Sequence, residues 1–259
     1  MKRQNIAAIA GLSLLVGIAA SAAGTAAYAA LRVRQAARLA RRSHPFDKLA
    51  RPEGARLLVV GDSLAEGAGA SSPASSLPGL LCRANPSLTV VNKGRAGARF
   101  ADFLDQLEEE GRFDAVLIVG GAADVIGMTR DGALRDTLQR AAQRARVRSD
   151  LVIFVPPGNV GNAPAFLPPW NWWMSYRARR LQALVAEVAQ ANGACHVSLF
   201  RDGQDDPFAR HPANLYAPDG LHPADAGYEL LQRELEAQVQ LSARLRKIGR
   251  SAAIRGPAF

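Results

Sequence analysis

Cysteine and histidine are scarce in this chain, and acidic residues are nearly missing from its two ends. Its 259 residues include two cysteines, Cys82 and Cys195, too few for a disulfide framework and without the paired spacing of a metal site. Each is expected as a small buried apolar residue, the common fate of a free thiol. Residues 242–259 contain no acid, and residues 1–54 set only Asp47 and Glu53 against nine Lys and Arg. The ends therefore hold positive surpluses of five and seven, and residues 55–241 carry −3 in a chain of net charge +9. A nucleic-acid groove would put its charge on the folded domain, so nucleic acid is excluded as an expected partner. The apolar fraction of 48% and the charged fraction of 21% are those of a globular protein, and no internal repeat is visible.

Charge of either sign is absent from residues 6–31, IAAIAGLSLLVGIAASAAGTAAYAAL. About 20 apolar residues span a bilayer as a helix, so the run is long enough, although Ala, Gly and Ser dilute its hydrophobicity. Three readings compete. An uncleaved anchor fits the length, and a cleaved signal peptide fits the basic start and Ala27-Tyr28-Ala29. A buried helix of a soluble domain is disfavoured because the segment has no polar face. The arginines that follow (Arg32, Arg34, Arg38, Arg41, Arg42) would hold the domain in the cytoplasm by the positive-inside rule, whereas export would put it on the other side. Residues 1–32 are thus a membrane anchor or signal segment, and residues 33–54, basic and containing Pro45 and Pro52, read as a linker.

Beyond the linker, short apolar runs alternate with amphipathic segments. Strands are expected over 56–60, 88–92, 115–119, 151–155 and 194–199, and helices near 74–84, 100–110, 131–147, 173–192 and 223–240. Fully apolar strands alternating with helices predict a parallel sheet covered on both faces. Five such strands predict a doubly wound, three-layer α/β/α domain over 55–241, with ligands at the carboxyl ends of the strands. Residues 242–259 form a basic tail with no clear periodicity.

The stretch LLVVGDSLAEG places Ser63 two residues after the first strand, at the expected carboxyl edge of the sheet. A serine nucleophile needs a base and a third group that fixes the base's tautomer. Only four histidines are available. His44 lies in the linker, His196 within the last strand as a satisfied core or edge residue, and His211 has no carboxylate at a useful offset. His222 has Asp219 three residues earlier, close enough on a tight turn to hold its Nδ1–H. Helix capping before Pro223 is the bland alternative for that pair, as turn formation is for Gly61 and Ser63. Their joint occurrence at opposite ends of one α/β domain favours catalysis.

These residues resemble the SGNH, or GDSL-type, esterases and lipases. Gly61-Asp62-Ser63-Leu64 matches the family's first block, and Asp219-x-x-His222 its last. Asn92-Lys93-Gly94-Arg95-Ala96-Gly97 is similar to the second, with Gly97 as a backbone oxyanion donor. The resemblance implies a flavodoxin-like five-stranded sheet and hydrolysis of a small-molecule, lipid or acylated ester. It also implies a Ser63–His222–Asp219 triad, an oxyanion hole from the Ser63 and Gly97 N–H groups, and no cofactor or metal. In the third block the family asparagine is replaced by Ala123, and losing one such donor costs on the order of 10²–10³ in rate. Asn159 or Asn162 could substitute, against the alternative that both are turn residues. Phe166, Trp170 and Trp172 could line a substrate groove, or simply pack their loop. A non-catalytic binding protein on a degenerate fold is the alternative that Ala123 keeps open.

Overall fold

The computed structural model describes residues 2–41, 43–48 and 54–247. Five strands form one sheet: β1 (Arg56–Gly61), β2 (Thr89–Asn92), β3 (Ala115–Val119), β4 (Val152–Val155) and β5 (Cys195–His196). Their order is β2-β1-β3-β4-β5, every pair is parallel, and the order is that of a flavodoxin-like doubly wound sheet. The helices, in chain order, are α1 (Lys2–Ala40), α2 (Ser63–Glu66), α3 (Leu77–Ala84), α4 (Phe100–Gln106), α5 (Ala122–Ile126), α6 (Asp131–Arg148), α7 (Trp170–Ala191), α8 (Pro207–Arg210), α9 (Pro212–Leu215) and α10 (Asp225–Val239).

The central strands β3 and β4, and β1 beyond Arg56, are apolar throughout because successive side chains enter different helical layers. From β1, Leu58 and Val60 face a layer containing Phe100, Phe103, Leu138 and Leu181 of α4, α6 and α7. Leu57 and Val59 face the other layer, with Leu81 of α3 and Tyr228, Leu231 and Leu235 of α10. A strand buried on both faces has no reason to alternate with polar residues.

The structure departs from the sequence reading at the two ends. The predicted linker is helical as far as Ala40, and Ala36 and Ala40 are buried. They lie on one helical face with Ala29 and Val33, which pack against the core, so the end of α1 is part of the domain wall. A helix over residues 241–247 runs into the predicted tail, 242–259, and buries Leu241 and, within the tail, Leu245 in the core. Residues 49–53 of the linker and 248–259 of the tail lie outside the described residues.

Candidate active site

β1 ends at Gly61, and the chain turns immediately into α2 with Asp62 as its N-cap. The Asp62 carboxylate is buried. It accepts hydrogen bonds from the N–H groups of Leu64 (2.9 Å), Gly121 (2.8 Å) and Ala122 (3.2 Å), tying the β1–α2 turn to the β3–α5 turn. Burial pushes its pKa up, against the opposing effect of these backbone donors. Gly120, at φ +130, lies against this carboxylate so closely that any Cβ would overlap it. Asp62 is therefore a structural clamp, and Ser63 is the first residue past it, at the sheet's carboxyl edge.

The loop after β2 is fastened to the same turn. Asn92 Nδ2 donates to the Ala65 carbonyl (2.9 Å) while its Oδ1 accepts from the Gly94 N–H (2.9 Å). The mostly buried Glu66 carboxylate accepts from the Ala96 N–H (2.6 Å), and burial pushes its pKa up. Gly97 follows at φ +78, a left-handed conformation that favours glycine. Among the described residues, neither the Ser63 N–H nor the Gly97 N–H has a protein acceptor. Two backbone donors, on residues that line the same cavity, are thus left free.

On the far side, a turn before α10 carries Asp219 and His222. Asp219 Oδ1 accepts from the N–H groups of Leu221 (2.9 Å) and His222 (3.0 Å), and Oδ2 lies 2.6 Å from His222 Nδ1. Burial pushes the Asp219 carboxyl up, but the His222 hydrogen bond, the His222 charge and the two backbone donors outweigh it and hold the pKa below the ordinary value. With Nδ1 facing the carboxylate, the ring's Nε2 is the atom left for other chemistry.

Ser63, Gly97, Ala123 and His222 all line one cavity of about 510 Å³. Val33, Ala37 and Ala40 of α1 form part of its wall. Ala123, the second residue of α5, brings no side-chain donor to it. Asn159 also lines the cavity, but its amide is occupied: Oδ1 accepts from the Gly161 N–H (3.1 Å) and Nδ2 donates to the Arg201 carbonyl (3.3 Å). Asn162 does not line the cavity, and its amide donates to Asp206 (2.7 Å), which does.

The three aromatic candidates stand elsewhere. Phe166 is 7% exposed within the core, Trp170 Nε1 donates to the Ala22 carbonyl of α1 (3.1 Å), and Trp172 is 66% exposed. None of the three lines the cavity. They pack or flank the start of α7, which is what an adjacent Trp-Trp pair on a helix requires, since neighbours cannot share a face. His196 is a satisfied partly buried residue, 2.9 Å from Gln182 Oε1. Sequence reasoning missed Glu66, whose burial nothing in SLAE signals, and the contribution of α1, read as a linker for its charge. It also missed Arg99, which lines the cavity.

The five-stranded parallel sheet, with a cavity where its carboxyl edge meets these loops, has the three-layer architecture of an SGNH-type hydrolase domain. Residues 59–230 match the GDSL-like Lipase/Acylhydrolase family, and the chain belongs to that family. It is an ester-hydrolysing enzyme. Comparison with curated proteins finds no match. Among solved structures it is similar to a lipase/acylhydrolase from Enterococcus faecalis (24% identity, TM-score 0.58, 74% of this chain and 97% of the other). It is similar also to LAE5, an alpha/beta hydrolase enzyme from the metagenome of Lake Arreo, Spain (21%, 0.59, 76% and 98%). An Axe2 mutant, an acetyl-xylooligosaccharide esterase from Geobacillus stearmophilus, is a third (24%, 0.52, 74% and 95%). At these identities the likeness is one of fold.

Proposed function

We propose that the enzyme is a serine esterase in which Ser63 is the nucleophile, His222 its general base and Asp219 the residue that orients and stabilises the imidazolium. The observation that carries this reading is the buried 2.6 Å Asp219–His222 contact on the cavity that Ser63 also lines. Ser63 Oγ attacks the ester carbonyl and its proton passes to His222 Nε2. The tetrahedral oxyanion takes hydrogen bonds from the free N–H groups of Ser63 and Gly97. The imidazolium then protonates the departing alcohol, which leaves an acyl-Ser63. Water, deprotonated by His222, attacks the acyl carbonyl, and the acid departs as Ser63 recovers its proton.

With alanine at position 123, the oxyanion hole has two backbone donors and no side-chain amide, so this is a slower member of its class. Residues 2–31 of α1 are read as an uncleaved membrane anchor that keeps the cavity near a lipid surface. Supporting that part is the stretch Val16–Ala40, which is long and apolar enough to cross a bilayer by length and composition.

The test is hydrolysis of p-nitrophenyl acetate, butyrate and octanoate by the full chain in detergent, beside its Ser63→Ala counterpart. The expected fall in kcat is on the order of 10⁴-fold. Equal turnover by the two proteins would remove Ser63 from the mechanism.

A further inference from the structure

The cavity holds a cation that the esterase reading does not use. Arg99, two residues after Gly97, lines the cavity and is solvent-exposed. Among the described residues its guanidinium has no hydrogen-bond or ion-pair partner, whereas the neighbouring Arg95 pairs with Asp102 (3.7 Å). The carboxylate nearest in sequence beyond Asp102 that feels its charge, Asp124, is occupied by the Phe100 N–H (2.9 Å) and the Thr129 hydroxyl (2.8 Å).

The guanidinium lies in a slot on α5. Ala123 and Gly127 are four residues apart and so share a helical face. Gly127 has φ −78, a conformation open to any residue, so its backbone does not require glycine. A Cβ there would instead overlap the Arg99 guanidinium and approach the Ala123 carbonyl to 2.8 Å. Gly127 therefore makes room for one large cation. That cation sits one helical turn, about 5.4 Å of pitch, beyond the position where an asparagine would reach the oxyanion. This offset suits a substituent of the substrate better than its reacting carbonyl.

A second guanidinium, that of Arg41 just after α1, lines the same cavity and has no partner among the described residues. The acids of the lining cluster elsewhere in sequence. Asp206 is held by the Phe208 N–H (2.9 Å) and Asn162 (2.7 Å), and Glu234 by Arg201 (3.5 Å). Asp205 has no side-chain partner among the described residues, and the fourth lining acid, Asp62 beside Ser63, is buried and taken up by the Leu64, Gly121 and Ala122 N–H groups.

We infer that the substrate is an ester bearing an anionic group, a phosphate or carboxylate, close to its scissile bond, and that Arg99, seated against Gly127, recognises that group. A guanidinium offers the paired donors such a group accepts. The inference rests on the assignment of Ser63 as nucleophile, since that assignment sets where the scissile bond lies.

Binding separates the two claims. In the full-length Ser63→Ala protein in detergent, isothermal titration with 1-butyrylglycerol 3-phosphate and with uncharged 1-butyrylglycerol compares the same ester with and without the anion. The phosphate ester is expected to bind about 10–100-fold more tightly, as a hydrogen bond to a charged group allows, and the difference is expected to shrink with added salt. Arg99→Gln should abolish the preference. Gly127→Ala should reduce it while leaving the guanidinium in the chain, which a general loss of surface charge would not explain. A 1-oleoyl pair in phosphatidylcholine vesicles distinguishes sources: preference in the butyryl pair marks a soluble ester, and preference only in the oleoyl pair marks a membrane-borne one. Equal binding within both pairs, or a preference that survives Arg99→Gln, overturns the inference. Ester turnover persisting in Ser63→Ala would instead overturn the nucleophile and leave the binding difference standing.

Discussion

Asp219 has both carboxylate oxygens occupied, one by two backbone N–H groups and the other by His222. The arrangement fixes the imidazole before any substrate arrives. In Asp219→Asn the side chain can present an N–H toward Nδ1, which favours the wrong tautomer, and kcat is expected to fall by about 10⁴-fold. The same substitution tests the linkage of stability to pH. A carboxyl whose folded pKa is depressed stabilises the fold above its unfolded pKa, about 3.9, and loses that contribution as pH falls through the lower folded value. Melting temperatures of wild type and Asp219→Asn should therefore differ most above about pH 4 and converge in stronger acid; a difference independent of pH would deny the Asp219–His222 coupling. Ala123→Asn makes the complementary prediction. If the missing amide limits the rate, restoring it should raise kcat on p-nitrophenyl butyrate by up to about 10²-fold with little change in KM.

At the scale of elements, the site depends on how α2 and the β2 loop are joined. Glu66 links them through the Ala96 N–H, one residue from Gly97. Glu66→Ala should free the loop and lower kcat by up to about 10²-fold, the cost of a misplaced donor, while KM changes little. A change confined to KM would show that the loop serves binding alone. Much of this frame was legible in the sequence. Four strands were readable within a residue or two because an apolar run buried on both faces leaves a plain signal, and Ser63, Asp219 and His222 stood out because a GDS turn and an Asp-x-x-His turn are local patterns. β5 is only Cys195–His196 against an expected 194–199, since sequence carries the apolar run but not where pairing stops. The short helix α5 escaped notice because five residues are too few for periodicity. Arg99 and Glu66 were illegible for another reason: what matters about them is the partner, and for each the partner is far away along the chain or is a gap left by a glycine.

At the scale of the whole molecule, α1 joins two roles that the sequence reading kept apart. Its residues 16–31 are largely exposed, with Val16, Ile18 and Leu31 between 58% and 60% accessible, as a segment meant for lipid would be. Its last two turns instead wall the cavity through Val33, Ala37 and Ala40, and Arg32 donates to the Pro218 carbonyl (3.3 Å) beside the Asp219 turn. An acyl chain in the cavity would touch the same helix that is proposed as the membrane anchor. Two truncations separate the roles. Removing residues 1–31 should release the protein from membranes washed with alkaline carbonate, yet preserve the ratio of kcat/KM for p-nitrophenyl octanoate over acetate, because the wall is retained. Removing residues 1–41 should lower that ratio roughly tenfold, since each methylene that loses its wall forfeits about 0.8 kcal/mol and two suffice. If neither truncation changes the ratio from that of the full chain, the acyl chain lies against other residues. If removing residues 1–31 already lowers it, the exposed segment itself holds the chain.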